Sequence, residues 1–276
     1  MQKILLALDA HDVNASSVHF ASYLANTTKS KFTGVFLENS IGDAALETKI
    51  SCDPFVCVQT TTLQPPATIA PANIDKNVAL FKKICTDNDA RFSMHELKGK
   101  PVKQMVRESR FADVIITHGG LHFSDEKNYQ WPSEFVSELL VYTQCPVIIS
   151  PFYFNELDEI IFAYDGSDSS VFAIKQFTYL FPQFNETRTT LLEVLPEGEN
   201  EITEKERLQE WLMMHYDAVH METLHGKPET ELFKNLLTKN NKMLVMGAYG
   251  RKIFFNHSTA DLLLKTADVA FFITHR

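Results

Sequence analysis

Glycine (10) and proline (11) are scarce in this 276-residue chain, cysteine is scarcer still (4), and positive charge is in deficit. Scarce turn-formers beside 45% hydrophobic and 22% charged residues exclude long low-complexity disorder. No apolar run is long enough to cross a bilayer, and the start, Met1-Gln2-Lys3, lacks the pattern of a secretory leader. Four cysteines (Cys52, Cys57, Cys85, Cys145) exclude a disulfide scaffold and suit a reducing compartment, so the chain reads as cytoplasmic. Cys52 and Cys57 have four residues between them and no second pair, which is not zinc-ribbon spacing. Lysine and arginine number 26 against 35 aspartates and glutamates, a net charge of -9. Such a surface repels a phosphate backbone, so nucleic acid is not expected as the main partner. A mononucleotide remains open, because it needs only a local set of donors. Also missing are a Gly-x-x-x-x-Gly-Lys-[Ser/Thr] loop, a Gly-x-Ser-x-Gly elbow and His-Glu-x-x-His. No catalytic residue is assigned.

What is present comes twice. Lys3-Ile4-Leu5-Leu6-Ala7-Leu8-Asp9 and Glu159-Ile160-Ile161-Phe162-Ala163-Tyr164-Asp165 are both short apolar runs that end in aspartate. A polar turn and a helical pattern follow each, carried by Val18, Ala21 and Leu24 or by Val171, Ile174 and Phe177. Leu97-Lys98-Gly99-Lys100-Pro101 returns as Leu224-His225-Gly226-Lys227-Pro228, where glycine turns the chain out of a strand and proline opens a helix. The runs 114–117 and 243–246 each lead into glycine, and 146–149 and 269–273 close each copy. Five landmarks in one order indicate an internal repeat.

Apolar runs alternating with helical patterns predict βαβ units with a parallel sheet. Their lack of polar alternation predicts strands covered on both faces. The reading places one domain over 1–152 and a second over 156–276. The first carries an insertion near 39–73 containing Pro54, Pro65, Pro66 and Pro71, which reads as a surface loop or lid.

A strand ending in aspartate, a glycine-proline turn, then strand, glycine loop, helix and strand resembles the universal stress protein family. Asp165-Gly166-Ser167 and Val245-Met246-Gly247-Ala248-Tyr249-Gly250 carry the resemblance most specifically. It implies two tandem five-stranded parallel sheets, open and doubly wound, of the adenine nucleotide alpha hydrolase-like type. It further implies a pseudo-two-fold relation between the two domains, an intramolecular pseudo-dimer, with 147–149 antiparallel to 271–273. The resemblance makes ATP or another adenine nucleotide the expected ligand of the second domain. Asp165, Gly247, Gly250, Arg251, Ser258 and Thr259 are the residues expected to hold it. Glycines admit phosphate to the backbone, and a helix start capped by Ser258 and Thr259 offers free N–H groups. The sequence departs from the family pattern after Gly250: seven residues precede Ser258-Thr259 where the family has nine and a third glycine.

In the first copy, His118-Gly119-Gly120-Leu121-His122 replaces the nucleotide motif, so no ATP is expected there. Asp9, His11, His118 and His122 leave two strands expected to be neighbours and have the composition of a metal site, with the bland alternative of a solvated polar cleft. Three functional readings follow. The first is a stress-response protein that binds a nucleotide without efficient turnover. The second is a nucleotide-using transferase or slow ATPase, with Asp165 as the candidate base. The third is a non-binding interaction scaffold.

Overall fold

The computed structural model describes residues 3–39, 47–52, 57–62, 72–123, 131–195, 198, 204–237, 241–248 and 268–274. The chain divides into two compact units, Met1–Cys145 and Pro146–Arg276.

The first unit runs β1 (Lys3–Asp9), α1 (Ala15–Thr27), β2 (Lys31–Asn39), β3 (Glu47–Cys52), β4 (Cys57–Thr62), α2 (Ala72–Asp87), β5 (Phe92–Gly99), α3 (Pro101–Ser109), β6 (Val114–His118) and α4 (Glu134–Tyr142). Its strand order is β6-β1-β2-β5-β4-β3, parallel except for the antiparallel pair β3–β4. The insertion is therefore more than a surface excursion: its described residues form a hairpin whose second strand lies parallel on β5.

The second unit runs β7 (Val147–Ser150), β8 (Glu159–Tyr164), α5 (Asp168–Leu180), a single 3-10 turn (Pro182–Phe184), β9 (Arg188–Leu195), α6 (Lys205–Met213), β10 (Val219–His225), α7 (Pro228–Leu237), β11 (Lys242–Gly247) and β12 (Ala270–Thr274). The order is β10-β9-β8-β11-β12-β7. All pairs are parallel except β7–β12, where Ile149 faces Phe271 and Val147 faces Ile273, the antiparallel pairing expected of those runs.

The continuous apolar runs are buried as read: Ile4, Leu5, Leu6, Ile160, Ile161 and Phe162 are all fully covered. Burying a side chain of that size contributes roughly 1.5–3 kcal/mol. Each unit centres its core on one phenylalanine. Phe81 of α2 meets Phe32, Phe36 and Phe92 edge-on, with centroids 5.4–5.7 Å apart. Gly34 makes room for it, since a Cβ there would lie 2.6 Å from the Phe81 ring. Phe177 of α5 meets Phe162 and Phe272 edge-on and stacks on Phe181 and Phe184.

The repeated glycine-proline turns behave as their chemistry requires. Gly99 and Gly226 have φ of 123° and 139°, and Pro101 and Pro228 then begin α3 and α7. Asn14, Ser133 and Ser167 cap α1, α4 and α5 by accepting from the N–H of Ser17, Val136 and Ser170. Both units also fasten the amino end of the first strand to the fourth. In the first, Lys3 N–H donates to the Asp113 carboxylate at 2.9 Å. In the second, buried Glu159 of β8 pairs with Lys242 of β11, accepts from Thr190 and lies 3.5 Å from Arg188. Burial alone would raise the Glu159 pKa, but the bonds from Lys242 and Thr190 and the positive charges bring it below the usual carboxylate range.

Candidate functional site

Ligands of open α/β sheets bind beyond the carboxyl ends of the strands, where the strand order reverses. That reversal falls between β1 and β6 in the first unit and between β8 and β11 in the second.

In the second unit, Asp165 follows the last residue of β8 and Gly247 ends β11. Both line one crevice with Tyr164, Ser170 of α5, Leu192 and Val194 of β9, and Pro228 and Leu232 of α7. The expected meeting of Asp165 with the glycine loop is thus present for its described part. Gly250, Arg251, Ser258 and Thr259 lie outside the described residues.

Two details recast the roles of the residues that do meet. Asp165 Oδ1 accepts from the N–H of Ser167 at 3.0 Å and from its hydroxyl at 2.6 Å, around Gly166 at φ 77°. This is an Asx turn that leads β8 into α5. Gly247 admits the start of α5: a Cβ there would stand 2.2 Å from Ser169 Oγ and 2.5 Å from the Ser169 carbonyl oxygen. The space left by the missing side chain is taken by the protein itself. The crevice measures about 40 Å³, whereas sites for small organic ligands span roughly 300–1,000 Å³. Ser169 and the apolar walls from β9 and α7 were missed in the sequence, because only the folded chain brings them to the strand ends.

The first unit repeats the turn and changes the filling. Asp9 Oδ1 accepts from His11 N–H at 2.9 Å. After β6, Gly119 and Gly120 carry the indole of Trp131, whose ring atoms would lie 2.7 and 2.1 Å from a Cβ at either glycine. His118 meets that indole edge-on at 5.0 Å. Its Nδ1 accepts from Gly120 N–H at 3.3 Å, and His122 Nδ1–H donates to the Gly120 carbonyl at 2.9 Å. Burial holds the His118 pKa below the ordinary histidine value, against the pull of Asp12. Burial likewise raises Asp9, against the hydrogen bond from His11. The side chains of Asp9, His118 and His122 are engaged in these turns, and His11 enters through its N–H. Among the described residues, no three His, Cys, Asp or Glu side chains gather as a metal site.

No protein-family model matches the sequence, and no curated protein matches it. Solved structures do. A universal stress protein from Archaeoglobus fulgidus is 16% identical, with 99% of this chain and 98% of that one aligned at a TM-score of 0.64. A functionally unknown protein from Pseudomonas aeruginosa is 12% identical, with 100% and 92% aligned at a TM-score of 0.59. At such identities the likeness is one of fold, and the chain has, over its whole length, the fold of a universal stress protein structure.

Proposed function

We propose that this chain is a universal stress-type protein that acts by binding, taking an adenine nucleotide at the crevice of the second unit without efficient turnover. The observation that carries the reading is the meeting of Asp165 and Gly247 where the strand order reverses. Asp165 could accept from a ribose hydroxyl or the adenine amino group there. Among the described lining residues it is the one carboxylate, and Ser167 already occupies one of its oxygens. That arrangement favours binding over transferase or ATPase chemistry, which needs a base free to take a proton. The buried thiols of Cys85 and Cys145 suit a cytoplasmic setting, and among the described residues no helix is long and apolar enough to cross a membrane.

A second reading is a scaffold that has lost its ligand, and the 40 Å³ volume with Ser169 seated on Gly247 favours it. A nucleotide must widen this crevice to enter. Calorimetric titration of the full chain with ATP separates the two readings. Binding at roughly one site per chain, weakened by about 1.5–3 kcal/mol in Asp165→Ala, supports the nucleotide reading. Heat that stays at the dilution level through millimolar ATP leaves the scaffold.

A further inference from the structure

A groove in the first unit lies away from the strand-end crevice, between α3 and α4, and measures about 830 Å³. One wall is cationic. Lys100, Lys103, Arg107 and Arg110 recur at helical spacing, so they share one face of α3 over roughly 15 Å. All four are exposed, and none has a side-chain hydrogen bond or ion pair among the described residues. Elsewhere in the same unit, Lys3 and Lys98 are paired with Glu108 and Glu38. In a chain with net charge -9, four unneutralised cations in one row concentrate the local positive field.

The floor is apolar, with Val102 and Val106 of α3 beside Phe135 of α4 and Phe123 in van der Waals contact beneath them. The far wall carries Glu134 and Glu138, one helical turn apart on α4. Neither carboxylate comes within ion-pair distance of the opposing cations, so the two charged walls stand open to a guest between them. The carboxylates restrict what that guest can be. An evenly charged polyanion would meet Glu134 and Glu138 with like charge, which costs affinity. A molecule with its negative groups on one edge and an apolar body on the other meets no such conflict.

We infer that this groove is a binding site for a small amphiphilic anion, a molecule with an aromatic or aliphatic body lying on Val102, Val106 and Phe135 and a phosphate or carboxylate held by Lys103 and Arg107. It is independent of the second-unit crevice and of any nucleotide bound there.

The test uses the full chain and three simple probes. These are 1-naphthyl phosphate, inorganic phosphate (the same head without a body), and 1-naphthylmethylammonium (the same body with the opposite charge). Calorimetry should give saturable binding of naphthyl phosphate at roughly one site per chain. Affinity should exceed that for inorganic phosphate by roughly tenfold or more, and naphthylmethylammonium should bind more weakly still. Lys103→Glu with Arg107→Glu should reverse the preference between the two naphthyl probes. Both residues are exposed, and a melting curve confirms that the variant is folded; if it is not, Lys103→Gln with Arg107→Gln should lose the phosphate probe roughly tenfold. Glu134→Gln with Glu138→Gln should tighten naphthyl phosphate. Inorganic phosphate binding as well as naphthyl phosphate, equal binding of the cationic probe, no binding of any probe, or affinity unchanged by the charge reversal would each overturn the site.

Discussion

The two units close the same place by different means. Where the strand order reverses in the first, the indole of Trp131 rests on Gly119 and Gly120. In the second, Gly247 receives the backbone of Ser169 as α5 begins, and a crevice of about 40 Å³ remains beside Asp165. One filling is a side chain borrowed from eleven positions beyond the glycines, and it can be removed alone. The other is main chain, inseparable from the helix that carries it. The strand-end crevice of the first unit is therefore filled by an aromatic plug, whereas that of the second keeps a narrow opening beside Asp165. A glycine at a strand end thus says that something approaches closely, without saying whether that is phosphate, helix or indole.

The comparison can be broken by substitution, beginning with the ties at the strand starts. Glu159→Ala leaves the half-buried ammonium of Lys242 without its carboxylate and should cost about 3 kcal/mol in urea unfolding. Lys3→Ala, at the corresponding position of the first unit, should cost less than about 1 kcal/mol, since its ammonium is partly exposed and 3.9 Å from Glu108. Equal losses would mean that the Lys3 ammonium contributes as much as the buried Glu159 carboxylate.

Next in size is the glycine exchange. Gly247→Ala drives a methyl group into the Ser169 backbone and should destabilise the second unit by about 2–3 kcal/mol. Gly120→Ala meets only a side chain that can shift, so about 1 kcal/mol is expected. Loss of ATP binding in a Gly247 variant would consequently report a displaced α5 as readily as a blocked phosphate, and thermal midpoints must accompany that titration.

Trp131→Ala should cost about 2 kcal/mol, below the value for a fully buried tryptophan because this ring is half-exposed. Amide exchange at Gly119 and Gly120 should quicken if the indole is the plug. Unchanged protection would show that the backbone is held without it.

The smallest effect is titration. His118 has a folded pKa below 6.5, so the unfolded chain takes up its proton first as the pH falls. Stability of the first unit should decline as the pH falls below 6.5, and His118→Asn should flatten that part of the profile. In the second unit the depressed carboxylate of Glu159 acts later: its contribution holds above the ordinary value of 4.5 and fades as the pH falls through the lower folded value. Hydrogen exchange resolved by residue distinguishes the two windows.

Much of this was legible in the sequence, and particular residues explain where legibility stopped. The run Lys3–Asp9 is β1 with those bounds, and Gly99-Lys100-Pro101 turns a strand into a helix as proline and glycine dictate. Such features are decided within a few residues. The β3–β4 hairpin was not foreseen because its strands are short and its neighbour in the sheet, β5, comes some thirty residues later. Trp131 and Ser169 as fillers were invisible for the same reason: each is read only against a glycine distant in sequence. The row of cations on α3 was open to reading from its spacing, but not the apolar floor from α4 that turns a charged helix face into a groove.

The opposite signs at the two strand starts bear on how such a chain reaches its fold. A tandem repeat risks pairing the strand of one copy with its counterpart in the other while both are still assembling. Here β1 begins with lysine, whose ammonium lies 3.9 Å from Glu108, and β8 begins with glutamate and meets Lys242. A mistaken exchange would set Glu159 near Glu108 and Lys3 against Lys242, two repulsions in place of two attractions. The inverted polarity works as a key that lets each first strand recognise its own sheet, discriminating against the wrong partner before the shared apolar run can hold it there.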